Sequence, residues 1–359
     1  MRVLKCEQKK NKNFASLLKT LLALYVISSV FFSTEALLTM QNMKDFVRIL
    51  ILGFMFIAFL FYPKWLVFSS KFFIFVVLMV FPLFAFSFTE TFLNILLLLM
   101  MSTMIAFLSL KEVSKTIILY GFTSVLVVVV LVVVGILDQQ VFIDLINNRI
   151  RYSFGFANAN YFSLSLFEVA ILTWLVAKKH KLVISFVVMT PVLFLSVSRT
   201  PIVAYLLFLV TLPVLGFMRT RAPNLGMLVV TISAFLVVVA GMTIPFINSN
   251  SLNLLLSLRL TTYSRAIEHL PLHSFVIGGS QLYLDSSYLS LWTALGIPFM
   301  TALCSFLVLR VREFFRSGRI TEICFMMSFA AYGITEGVLI SPALPLTIVF
   351  WTLLLYGRS

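Results

Sequence analysis

The sequence predicts an all-α, polytopic integral membrane protein of about 12 transmembrane helices, with one long outer loop between spans 9 and 10. Three observations carry this. Hydrophobic residues make up 61% of the chain and charged residues 11%, a balance no soluble globular domain shows. Apolar runs recur close to the length of a bilayer-crossing helix, about 20 residues. These runs are continuous rather than alternating, which excludes a transmembrane β-barrel. Residues 1–359 read as a single transmembrane domain without a soluble module, repeat or low-complexity linker.

A basic leader, Arg2 to Lys19, opens the chain. No clear small-residue cleavage site follows it, so the first run, Leu17–Phe32, reads as a retained anchor. Span 2 covers Phe46–Phe61 and ends at Tyr62-Pro63-Lys64. Leu66–Phe86 and Phe92–Leu110 form a hairpin turning at Ser87-Phe88-Thr89-Glu90. Lys111 to Lys115 then separates span 5, Ile117–Leu137, from what precedes it, and a polar loop, Asp138 to Ala159, leads into span 6, Tyr161–Ala177. Spans 7 and 8, Leu182–Leu195 and Pro201–Phe217, meet at a tight turn. There Thr200-Pro201 suits a helix start, a capping hydroxyl before a first-turn proline. Span 9 is Met227–Phe246 and span 10 is Tyr288–Leu309, followed by a basic loop, Arg310 to Arg319. The last apolar block divides into spans 11 and 12 near Glu336-Gly337.

Charge tests this topology. Twelve spans place both termini on one side, and 20 of the 27 lysines and arginines then fall in inner segments. That is the positive-inside bias, alternating loop by loop. The net charge of +14 is therefore a matter of topology, and no nucleic-acid partner is implied. Cys6, Cys304 and Cys324 sit at or near the inner side, so no external disulfide framework is expected.

The outer basic set is the informative one. It holds Lys44, Arg48, Arg149, Arg151, Arg199, Arg259 and Arg265, nearly all arginine, whereas lysine dominates inside. Guanidinium binds phosphate or carboxylate oxygens in pairs and is cheaper to dehydrate than ammonium. Residues 248–287 are the longest polar interruption and form the outer loop. Within it, Leu252 to Leu270 predicts an amphipathic helix ended by Pro271. Arg259, Thr262, Arg265, Ala266 and His269 fall on one arc, and Leu256, Leu260, Tyr263, Ile267 and Leu270 on its neighbour. Charged groups solvated at the membrane interface, without chemistry, are the other reading of that helix.

The remaining candidates also carry two readings. Asn158 and Asn160 can cap span 6 or bind sugar hydroxyls, and Gly155 lets the chain turn tightly before them. Asp285 can cap span 10, bind a sugar hydroxyl or act as a base. Glu168, inside span 6, has to be neutral or paired with a buried polar group. No Walker loop, dinucleotide fingerprint, HExxH or CxxC pair is present, so neither a nucleotide-driven pump nor a metal or cofactor site is implied.

Three motifs in order, Arg151 to Asn160 (RYSFGFANAN), Ser198-Arg199-Thr200, and Arg259 ahead of Asp285-Ser286-Ser287-Tyr288, resemble the Wzy-type polymerases of the O-antigen ligase/polymerase superfamily. The likeness covers roughly Arg149 to Pro298. Many relatives carry His-Pro-Asn at Asn158-Ala159-Asn160 and Asp-Asn at Asp285-Ser286. The resemblance implies an undecaprenyl-diphosphate-linked oligosaccharide as substrate, in the outer leaflet of the bacterial plasma membrane. It implies Arg199 and Arg259 as diphosphate ligands, assisted by Arg151 or Arg265. Asp285 or His269 would orient or deprotonate the acceptor, and Asn158, Asn160 and Tyr288 would contact sugar. Membrane lipid, a flippase and a chain-length regulator are candidate partners. A ligase of the same superfamily, a peptidoglycan glycosyltransferase, a lipid-linked oligosaccharide transporter and a structural scaffold are the competing readings.

Overall fold

A computed structural model of the chain describes residues 2–38, 69–80, 82–83, 89–144, 149–196, 198–247, 249–256, 258–280, 282, 284–342 and 344–357, with isolated positions between 43 and 57; side chains at 2–12, 38, 143, 144, 149 and 255 are excepted. Expected span 2, the Tyr62-Pro63-Lys64 link, the tip of the first hairpin, Lys44, Arg48 and the Arg149 side chain lie outside the described residues.

The described chain is an all-α bundle with the helices of a multi-pass membrane protein. Six helices among the described residues are long and apolar enough to cross a membrane: Asn13–Phe31, Leu110–Val133, Ala159–Val176, Arg199–Arg221, Pro223–Phe246 and Ser287–Ser317. Glu90–Ile105, Lys181–Ser196, Ile320–Tyr332 and Pro345–Tyr356 are apolar but shorter. Several boundaries differ from the hydropathy pattern. Lys111 and Lys115 sit inside a helix, because Ser109 and Glu112 close a reciprocal cap that starts it at Leu110. The expected basic loop from Arg310 is helical as far as Ser317 and ends at Gly318 with φ of 80°, where only glycine turns without strain.

Glycine sets the closest packing. Gly226, Val230, Ala234, Val238 and Gly241 make one buried stripe on the Pro223–Thr243 helix. A β-carbon at Gly241 would overlap the Tyr288 ring, and one at Gly226 would overlap Phe315. Both partners lie on Ser287–Ser317, so the two helix backbones approach through small residues as membrane helices do. Tyr288 is buried there, its hydroxyl donating to the Ala330 carbonyl at 3.0 Å.

The Ser287–Ser317 helix is broken at Gly296, which has φ of 77° and is followed by Pro298. Proline has no N–H to give the Ala294 carbonyl four residues back. The loop that precedes this helix supplies the donors: Gly279 N–H reaches Ala294 O at 2.9 Å and Ser280 N–H reaches Thr293 O at 3.0 Å. Buried backbone is thereby satisfied at the break.

The bundle has two chemically distinct ends. At one, Arg310 donates to the Leu354 and Leu355 carbonyls, Arg319 donates to Gly357 O, and Arg219 lies against Gly318. Carbonyls at the close of the final helix are thus satisfied by guanidinium. The Arg199–Arg221 helix, 23 residues long and so roughly 34 Å, leads from there to the other end. At that end Ser287 N–H and Oγ both donate to the Glu336 carbonyl. Glu168 is buried in mid-bundle and accepts from Leu346 N–H at 3.2 Å, in the first turn of Pro345–Tyr356. That is a buried polar partner, one of the two alternatives the sequence left open for Glu168.

Gly241→Ala should destabilise the detergent-solubilised protein by about 1–3 kcal/mol, because the added methyl meets the Tyr288 ring. Gly216→Ala, with nothing within 4 Å of the new carbon, should be neutral or stabilising by up to about 1 kcal/mol. Paired thermal unfolding midpoints check this.

Candidate functional site

A cavity of about 640 Å³ opens at the Arg199 end of the bundle. Its polar wall holds Arg151, Asn160, Ser198, Arg199, Thr200, Arg259, Tyr332, Thr335 and Glu336. Its apolar wall is built by Ile202, Val203, Ala204 and Leu207 on one helix and by Ala240, Ile244 and Ile247 on the next. Leu252 and Leu256 of the outer loop close over it. Val203 and Ile247 line the cavity and are also 63% and 43% exposed on the flank of the bundle. The apolar half therefore opens sideways, while the polar half lies at the end.

Arg151 arrives on a strand that the sequence did not predict. Val141–Asp144 and Arg149–Tyr152 pair antiparallel, with Arg151 opposite Phe142. The following turn, with φ of 51° at Phe154 and 81° at Gly155, is pinned to the end of the first helix. Ala157 N–H donates to Ser33 O and Glu35 N–H to Gly155 O. A β-carbon on Gly155 would press on Val132 and Val128, so glycine serves both the turn and the packing.

Two described residues hold the Arg151 guanidinium. Nη2 donates to Asn160 Oδ1 at 2.5 Å and Nε donates to the Ser196 carbonyl at 3.2 Å. Asn160 Oδ1 also accepts from Ser198 Oγ at 2.9 Å. Ser196 closes a π-helical turn, Val192–Ser196, that follows Pro191. The wider turn frees carbonyls from the regular ladder, and Ser196 O is spent on Arg151. Ser198, not Thr200, is the N-cap of Arg199–Arg221, and its hydroxyl serves Asn160 rather than the helix.

Arg259 enters from the polar segment between the Pro223–Thr243 and Ser287–Ser317 helices. The single helix expected over Leu252–Leu270 is two, Asn250–Leu255 and Arg259–Glu268, because Leu258 adopts φ of 65° between them. Asn253 bridges the pair, donating to Thr261 Oγ1 at 2.6 Å and accepting from Thr261 N–H at 3.2 Å. Leu260, Tyr263 and Ile267 form the buried face. The break turns Arg259 into the cavity, where it donates to the Thr335 carbonyl and to Glu336 Oε1, the latter at 2.8 Å. Asp285 Oδ2 stands 3.8 Å from Arg259 Nε.

This pair is electrostatically unequal. Burial works against the Arg259 charge, but Glu336, then Tyr263 and Asp285, outweigh it and raise the guanidinium above its ordinary value. On Glu336 burial wins over the attraction of Arg259 and lifts the carboxyl above the usual carboxylate range.

Of the residues singled out in the sequence, the structure brings Arg151, Asn160, Arg199 and Arg259 to one cavity. Arg265, His269, Asn158, Asp285 and Tyr288 stand apart from its lining. Arg265 and His269 are exposed on the outer helix and its cap. Asn158 is exposed and caps Ala159–Val176, accepting from Asn160 N–H at 2.9 Å. Asp285 is exposed at its rim-facing contact with Arg259, and Ser286 rather than Asp285 caps the next helix. Tyr288 is buried against Gly241. Glu336, Thr335 and Tyr332 line the cavity without having been assigned to it. An acid at the break of an otherwise apolar terminal block was the available signal for Glu336.

Among the described residues, no three His, Cys, Asp or Glu side chains gather as metal ligands would. No protein-family model, curated protein or solved structure matches this chain.

Three guanidiniums and one carboxylate line the cavity. As pH falls through the raised value of Glu336, that carboxylate neutralises and the lining becomes more positive. Sulfate, whose own charge is fixed over this range, should then bind about tenfold more tightly. In Glu336→Gln that acid-side gain should vanish. Titration calorimetry on both proteins at descending pH checks this.

Proposed function

We propose that the protein is a metal-independent polymerase of undecaprenyl-diphosphate-linked oligosaccharide repeat units in the bacterial plasma membrane. The growing glycan is transferred from its lipid diphosphate to a sugar hydroxyl of a new lipid-linked unit. The reading includes twelve spans with both termini cytoplasmic, so that the cavity opens on the outer face.

One observation carries the reading. A cluster of guanidiniums meets an apolar wall that opens on the flank of a membrane bundle. A lipid diphosphate has both halves of that chemistry: an apolar tail that stays in hydrocarbon and a dianionic headgroup at the interface. When the bond to the anomeric carbon breaks, negative charge grows on the departing phosphate oxygens. Arg151, oriented beforehand by Asn160 and the Ser196 carbonyl, and Arg199 in the same lining would stabilise it without a metal. Arg259, already engaged by Glu336, would contribute field and orientation.

The transporter reading has one observation in its favour, the broken Ser287–Ser317 helix, since transporters bind ions at such breaks. Here the carbonyls freed at the break are taken by Gly279 and Ser280, and none of those residues lines the cavity. The polymerase reading is therefore preferred.

Protein reconstituted in liposomes with synthetic undecaprenyl-diphosphate repeat units should yield a ladder of lengthening products. Arg199→Ala should lower the initial rate about 10²–10³-fold while the protein remains folded. Movement of the substrate across the bilayer without any new glycosidic bond would establish the transporter reading instead.

A further inference from the structure

Among the described residues Glu336 is the one carboxylate in the cavity lining, and polymerisation has a step that needs a base. We propose that Glu336 is that base, taking the proton of the acceptor sugar's hydroxyl as the glycosidic bond forms. The inference rests on reading the cavity as the polymerisation site.

The geometry supports this role. Glu336 lies in the turn between Ile320–Tyr332 and Pro345–Tyr356, with its side chain 17% exposed. The turn is tethered from behind: Ser287 N–H and Oγ donate to the Glu336 carbonyl, and Ser287 Oγ accepts from Leu339 N–H. The backbone is thus fixed while the side chain faces the cavity. Arg259 Nη2 grips Oε1 at 2.8 Å, and among the described residues Oε2 makes no hydrogen bond. One oxygen is oriented and the other is presented, the arrangement a positioned base requires.

The charged and titratable groups facing this carboxyl are Arg259 and Tyr263 from the outer loop, Asp285 before the kinked helix, Arg151 from the hairpin, and Tyr332 from its own helix pair. Burial, outweighing Arg259, keeps the group more basic than an ordinary glutamate. Asp285, exposed and outside the lining, and His269, exposed on the outer helix, lack this placement.

The step balances. The acceptor O–H bond breaks and its proton passes to Glu336 Oε2. The acceptor oxygen forms a bond to the anomeric carbon of the donor. The bond from that carbon to the diphosphate oxygen breaks, and the diphosphate leaves with the electron pair. Its added negative charge is met by Arg151 and Arg199. The proton on Glu336 then passes to water.

The test is the pH–rate profile of polymerisation in liposomes, measured with synthetic lipid-linked repeat units. The wild-type rate should rise with pH through the ionisation of Glu336, above the ordinary carboxylate range. Glu336→Gln, whose amide oxygen can still accept from Arg259, should lose about 10²–10³-fold in rate and lose that acid limb. Glu336→Asp should retain part of the rate with the limb displaced, and formate should partly rescue Glu336→Ala. Glu268→Gln, on the exposed face of the outer helix, should match wild type. Wild-type protein that forms no glycosidic bond would sink the polymerase reading itself. Active wild type with a Glu336→Gln rate within a few fold, or with the acid limb intact in the residual activity, would overturn the role of Glu336 alone. Should Glu336→Gln fail to fold, an unshifted limb in Glu336→Asp would overturn it equally.

Discussion

A guanidinium brought into an apolar bundle has to be met by oxygen, and that constraint shapes both ends of this molecule. At one end Arg310 and Arg319 are consumed by the closing carbonyls of the last helix. At the other end Arg151 and Arg259 are held by Asn160, the Ser196 and Thr335 carbonyls and Glu336, yet they still line open space. An arginine donates up to five hydrogen bonds in a planar fork, so partners that fix its direction also aim it along the cavity wall. The same chemistry serves as a cap in one place and as a binding wall in the other.

The scaffold that holds these groups depends on local departures from helix. A π-turn delivers the Ser196 carbonyl to Arg151, a left-handed Leu258 turns Arg259 inward, and Gly296 with Pro298 opens carbonyls that the outer loop caps. Regular helices on either side absorb these irregularities through close contacts at Gly226 and Gly241. Irregular backbone in an apolar bundle is tolerated where it is satisfied by protein or lines a cavity, and each departure here meets one of those conditions.

Much of this was legible in the sequence, and the reasons are physical. Apolar runs marked the helices because a lipid-facing helix has no other composition available. Outer arginines stood out because positive-inside sorting works against them, and three of them, Arg151, Arg199 and Arg259, share the cavity. What escaped depends on tertiary contact. Glu336 meets Arg259 across 77 residues, a pairing no local pattern encodes. The break at Leu258 carries neither glycine nor proline to announce it. The hairpin strands are four residues each, too short for alternation to separate them from a polar loop. Tyr288 was expected to contact sugar, but its hydroxyl is spent on Ala330 and its ring packs on Gly241.

The central claim is that arginines at the rim of this bundle grip a lipid's diphosphate while its tail lies along Val203 and Ile247. Native mass spectrometry of the purified protein, titrated with undecaprenyl diphosphate and with undecaprenol, tests it most directly. The diphosphate should bind at least about tenfold more tightly, a difference of ~1.4 kcal/mol or more, and Arg151→Ala combined with Arg199→Ala should erase the preference. Equal affinity for the two lipids, or a preference that survives loss of both arginines, would contradict the account.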